Sequence, residues 1–175
     1  ATYTSSVSLA ASGDGSMHLL YAQDKLYLRS RAAGETAWSD PQIVDGSGTA
    51  YQGQIAANAD GSLTAGWNDG AVVRFSDRAS GSGSWSTPHD IPLTQDAVNT
   101  LRLSTDPAGD GLGAVWIEAD NGGTPMDYSD DLPYATFARR SGGTWTTPYQ
   151  GPAGTLTGWT FFGADRPMNR TSFER

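Results

Sequence analysis

A short tryptophan phrase is written three times in this chain. The copies are Trp38-Ser39-Asp40-Pro41, Trp85-Ser86-Thr87-Pro88 and Trp145-Thr146-Thr147-Pro148. Each reads Trp-(Ser/Thr)-x-Pro and each follows a Gly and a small hydroxyl residue: Gly34 and Thr36, Gly83 and Ser84, Gly143 and Thr144. The copies lie 47 and then 60 residues apart. Self-similarity at such a period marks a repeat architecture, in which one supersecondary unit buries its faces only against its neighbours.

A second landmark aligns the repeats. Asp14-Gly15, Asp60-Gly61 and Asp110-Gly111 are turn dipeptides of the hairpin kind. Each precedes a strand-like run that ends in a large aromatic: Tyr21, Trp67 and Trp116. From the turn Asp to the phrase Trp the distance is 24, 25 and 35 residues, so the third unit carries about ten extra.

Alternation of large and polar side chains splits each unit into four short strands. The expected strands are 7–11, 17–22, 25–31 and 41–44 in the first unit. In the second they are 54–57, 63–67, 71–76 and 89–93, and in the third 100–104, 113–118, 134–139 and 147–150. The fourth strand of each unit starts near the phrase Pro, which suits an edge and not a central strand. The extra residues of the third unit, about 119–132, read as a long hairpin loop. A further partial unit, 153–175, offers strands at 155–162 and 171–174 and no fourth Trp phrase. With 22 Gly in 175 residues and only 17% charged residues, many short strands and tight turns are favoured over helices. The fold expected is all-β, a β-propeller of three four-stranded blades (about 7–46, 52–94 and 99–151) plus a partial fourth, in one domain spanning 1–175. Propellers have four to eight blades, so the ring would be completed by a second copy of the chain or by the remainder of a longer one, the third alternative being a small four-bladed ring whose last blade residues 1–6 complete.

The phrase and its upstream residues resemble the Asp-box (BNR) repeat of sialidase-like propellers. In the first copy Ser30, Gly34, Thr36 and Trp38 match the box's hydroxyl, Gly, Thr and Trp; Ala32 stands where the box has Asp, and Ala37 is an extra residue before the Trp. Ser76, Gly83, Ser84 and Trp85, and then Ser141, Gly143, Thr144 and Trp145, match more loosely. The resemblance covers residues 7–150. It implies the propeller fold, with the box as a folding element on the outer turn of a blade, and says far less about activity.

Candidate ligand residues come from the repeat. Tyr21, Trp67 and Trp116 occupy matching places, with Arg29 and Arg74 on the following strand. Such sets resemble the sugar sites of propeller lectins, where an aromatic face stacks on the sugar and Arg donates in fork geometry. The competing reading makes these aromatics interblade core. The leading expectation is a secreted, non-catalytic carbohydrate-recognition module of bacterial type. The alternatives are part of a sialidase-like glycoside hydrolase and a protein-interaction scaffold using the 119–132 loop. A hydrolase needs two carboxylates about 5–9.5 Å apart. Glu118 with Tyr128 or Tyr134 could play nucleophile there, among Asp120, Asp127, Asp130 and Asp131.

No catalytic set and no cofactor is marked. Asp120, Asn121, Asp127 and Asp130 are oxygen ligands of the kind Ca²⁺ takes, without the spacing of an EF-hand loop. No Cys is present, which removes disulfides and Cys-based zinc. The net charge of −8 argues against nucleic acid as a partner, and no apolar run is long enough for membrane insertion. His18 and His89, the two histidines, are too far apart in sequence to suggest a metal motif. Asn169-Arg170-Thr171 is a glycosylation sequon.

Overall fold

The computed structural model describes residues 6–48, 50–95, 97–105, 111–120, 122–123 and 132–152. The expected partial unit 153–175, the turn residue Asp110, Tyr128 and the acids Asp127, Asp130 and Asp131 lie outside the described residues. All regular structure among the described residues is β. Three antiparallel sheets follow one another along the chain.

Sheet one is β1 (Ser6–Ala11), β2 (Met17–Ala22), β3 (Leu26–Arg31) and β4 (Gln42–Asp45), in that spatial order. Sheet two repeats it with β5 (Tyr51–Ala57), β6 (Leu63–Asn68), β7 (Val72–Arg78) and β8 (His89–Pro92). Sheet three has β9 (Ala97–Thr105), β10 (Leu112–Asp120) and β11 (Leu132–Ser141); its outer strand is split into β12 (Thr144–Trp145) and β13 (Tyr149–Gln150), both paired to β11. The strands expected in the three full units are therefore found within a few residues of their predicted bounds. One boundary differs. Ala119, Asp120 and Leu132, expected in the long loop, are paired in the β10–β11 ladder, where Ala119 faces Pro133 and Asp120 faces Leu132. Part of the extra length of the third unit extends a hairpin.

The Trp phrase is explained by hydrogen bonding at the sheet edge. Beyond the last paired residues of the third strand, its edge has unused N–H and C=O groups, and such groups need partners. In sheet one the Ser30 N–H donates to Ser39 Oγ (3.0 Å) and the Ser39 N–H donates to the Ser30 carbonyl (2.8 Å). Asp77 and Ser86 repeat this reciprocal pair at 3.0 and 2.8 Å, and Arg139 and Thr146 at 3.1 and 2.8 Å. A hydroxyl after the Trp is thus required at all three sites. The Trp itself lies under the Arg that follows the clasped residue. Arg31 is 5.5 Å from the Trp38 ring, Arg78 is 5.6 Å from Trp85, and Arg140 is 5.9 Å from Trp145. Cation–π attraction adds about 0.5–1 kcal/mol at exposed sites. The unit is a clasp that ties the outer turn to the third strand.

Sheets pack face to face in sequence order. Leu20, Ala22, Leu26 and Leu28 of sheet one close on Ile55, Leu63, Ala65 and Trp67 of sheet two. Val73, Phe75 and Ile91 of sheet two close on Leu101, Ala114, Trp116 and Ala138 of sheet three. The clasp indoles join these layers: Trp85 packs on the first core, and Trp145 on the second with its ring centroid 4.1 Å from that of Phe75. Polar contacts cross both boundaries. Ser6 and Ser8 accept the N–H groups of Gly53 (2.9 Å) and Ile55 (3.2 Å). Arg78 donates to Gln42 (2.9 Å), and Arg140 pairs with Asp77.

Two glycines permit this close approach. A Cβ on Gly53 would lie 2.7 Å from Leu26 Cδ1 and 3.1 Å from Leu20 Cδ2, and one on Gly66 would lie 2.9 Å from Phe75 Cε1 and 3.3 Å from Leu101 Cδ2. These neighbours are fully buried, so making room for a Cβ would displace core side chains. Gly53→Ala and Gly66→Ala should each lower unfolding stability by about 1–3 kcal/mol, the usual effect of overpacking. Gly83→Ala, where a Cβ meets nothing within 4 Å, should change it by less than about 0.5 kcal/mol. Urea midpoints of the three variants check this.

Candidate functional site

The structure separates the five residues that the repeat suggested as a ligand site. Trp67 and Trp116 each have 0% of their surface exposed and lie in the first and second intersheet cores. An indole with both faces packed offers none to a sugar, so these two are core residues. Burial of each contributes roughly 2–3 kcal/mol or more. Tyr21, at the matching place in sheet one, is half-exposed, and among the described residues no sheet packs on that face.

The aromatic-plus-Arg set also fails to repeat in register. The cross-strand partner of Tyr21 is Tyr27, that of Trp67 is Arg74, and that of Trp116 is Thr136. Arg29 instead faces Leu19, one row away. Arg74 is committed to a local ion network. It pairs with Asp69 and donates to both carboxylate oxygens of Asp90 at 2.9 and 3.2 Å. Hydrogen bonding to Asp90, then the charge of Asp69, holds its pKa above the ordinary value.

What the structure does assemble is a half-exposed cluster on the outer face of sheet one. The Tyr21 and Tyr27 rings stack with centroids 5.5 Å apart and planes 24° apart. The Tyr27 hydroxyl donates to Asp24 (3.2 Å). Arg29 shares this face, since residues two apart on a strand point to the same side.

Glu118, the nucleophile candidate, has another role. Its side chain is fully buried. Oε2 accepts from the Thr94 N–H (2.7 Å), the Thr94 hydroxyl (2.6 Å) and the Gln95 N–H (2.9 Å), and Oε1 accepts from the Trp116 indole N–H (2.8 Å). Four donors satisfy the carboxylate and pin the segment entering sheet three onto β10. Gln150 adds a bond to the Thr94 hydroxyl (2.9 Å). Glu118 is a structural anchor with no face open to substrate. Asp69 stands at the equivalent place in sheet two but is held by Arg74, and the buried Trp67 indole N–H there has no hydrogen-bond partner. No signal in the sequence distinguished these two acids.

His18 was the other residue whose role the sequence left open. It is buried on the face of sheet one that meets sheet two, with Nε2 bonded to Ser12 Oγ and Nδ1 to Ser30 Oγ, both at 2.9 Å. Burial, with help from the Arg78 charge and against a smaller opposing effect of Asp14, pushes its pKa below the ordinary histidine value. Among the described residues no group of three or more His, Asp or Glu side chains is arranged to hold a metal, and no helix is long and apolar enough to cross a membrane.

No protein-family model matches the chain, and no curated protein matches it either.

Two outcomes follow from these buried groups. Glu118→Gln replaces one accepting oxygen by an NH₂ that faces donors, so stability should fall by about 2 kcal/mol or more; a lowered urea midpoint with an unchanged slope would report it. For His18, the folded chain resists a proton that the unfolded chain accepts near pH 6.5. Stability should therefore be flat above that pH and decline as pH falls from about 7 to 5. Asp14 and Asp60, whose pKa values are lowered mainly by hydrogen bonds from Ser16 and Ser62, act in a separate window below about pH 4. His18→Asn should flatten the decline between about pH 7 and 5 in urea titrations at stepped pH.

Proposed function

We propose that the three sheets are successive blades of a sialidase-like β-propeller and that the chain works by binding, recognising another polypeptide through its two open end faces. One observation carries this reading: residue rows that are buried between sheets inside the stack are exposed at its ends. In sheet one the paired Leu20 and Leu28 are buried, as is Phe75 opposite Gly66 in sheet two. The same row in sheet three is Val115, Phe137 and Tyr149, paired in that order, with 40%, 46% and 69% of their surfaces exposed. At the other end Val7 (61%) and Leu9 (54%) are exposed, although Ile55, which matches Leu9, is buried against sheet one. Contiguous apolar surface of this kind marks a protein-interaction site.

Carbohydrate recognition is the second reading. Tyr21, Tyr27 and Arg29, with Asp24 beside them, are the observation in its favour. Trp67, Trp116 and Arg74 no longer contribute to it. A glycan array followed by titration of any hit separates the two. Polypeptide recognition predicts no saturable glycan binding; saturable binding that Tyr27→Ala removes while the fold persists would overturn it and establish the second reading.

A further inference from the structure

The two open faces are the two halves of a contact that the chain already makes twice. In each internal boundary the later-facing side of one sheet receives the earlier-facing side of the next. Sheet three ends with the first kind of side uncovered (Val115, Phe137, Tyr149), and sheet one begins with the second kind uncovered (Val7, Leu9, Tyr21). The arginine that crosses each boundary repeats as well. Arg78 reaches Gln42 and Arg140 reaches Asp77, while Arg31 lies over Trp38 on the open face of sheet one.

We infer that a second copy of this chain is the occupant: sheet three of each copy seats on sheet one of the other, twice about a two-fold axis, to close a ring that holds the three described sheets of each copy. The inference rests on the polypeptide-recognition reading and names its partner. The count supports it. Propeller rings hold four to eight blades, and the three described sheets of two copies together fall in that range. A head-to-tail contact that closes is also finite, as soluble assemblies require. Charge sets its strength. At the place where Asp77 receives Arg140, sheet three carries Arg139, which is exposed. Arg31 of the copy would meet a like charge there, so this contact is weaker than the internal two and the dimer is concentration-dependent.

Sedimentation velocity of the full chain over micromolar concentrations tests this. A monomer–dimer equilibrium is expected. Leu9→Glu and Phe137→Glu should each abolish it, and their monomers should keep the parent urea midpoint because both side chains are exposed. Mixing the two variants should restore a heterodimer, since one intact pair of faces remains between them. Arg139→Asp should tighten the native dimer about tenfold by supplying the missing carboxylate. A chain that stays monomeric throughout overturns self-docking, and residues 153–175 or another protein then cover these faces. Loss of the dimer in only one of the two Glu variants also overturns it, because a like-on-like contact would use one face alone. The broader reading has its own separate refutation, the Tyr27-dependent glycan binding described above.

Discussion

The described structure depends on a central sheet that buries apolar side chains on both faces. A four-stranded sheet with one covered face can stand in water. Sheet two cannot, because every residue of β6 is buried. Its Leu63, Ala65 and Trp67 need sheet one, and its Phe75, Val73 and Ile91 need sheet three. The three sheets therefore stand or fall together, and the glycines at 53 and 66 are the places where the separation between them is set. Polar bonds across the boundaries, such as Ser8 to Ile55 and Arg140 to Asp77, contribute register more than energy.

Within that frame the clasp has a defined local task. The outer strand begins after a proline in sheets one and two and is interrupted by Pro148 in sheet three, so it cannot satisfy the whole edge of the third strand. The hydroxyl of Ser39, Ser86 or Thr146 does what a missing backbone carbonyl would do. The adjoining Trp then reaches toward the preceding sheet. Trp85 and Trp145 pack on the two intersheet cores, and among the described residues Trp38 joins neither. One local motif thus serves both the edge of its own sheet and the boundary with the sheet before it.

The architecture was legible in the sequence because it is written in spacing. The Trp phrase, the Asp-Gly turns and the aromatic at the end of each second strand recur in the same order in all three units, and the strands expected in those units are found among the described residues. The site was far less legible, because it depends on register. Arg29 lies eight residues after Tyr21 and Arg74 seven after Trp67, which looks like a match. The intervening turns differ, so that the residue facing Tyr21 is six positions on and the one facing Trp67 is seven. Both arginines therefore share a face with their aromatic, but Arg74 stands directly opposite Trp67 while Arg29 stands one row away from Tyr21, and sequence spacing cannot resolve that difference. Burial was hidden for a similar reason. Nothing in the strings around Tyr21, Trp67 and Trp116 says which one begins the stack.

Differences between the repeats follow from what each sheet faces. His18 and Thr64 occupy the same place, yet the histidine spans Ser12 and Ser30 within its own sheet while Thr64 donates to Asp77 (2.6 Å), the carboxylate that also holds Arg140 across the boundary. Sheet three has Gly113 there, paired with Arg139, and so has neither the hydroxyl nor the acid. The end of the stack has thereby lost the polar group that its inner counterpart uses to receive an arginine, and it keeps the apolar row of Val115, Phe137 and Tyr149. A face left apolar but stripped of its ion-pair acceptor is suited to a contact that forms and releases. The permanently buried boundaries inside the chain keep both the apolar row and a polar acceptor.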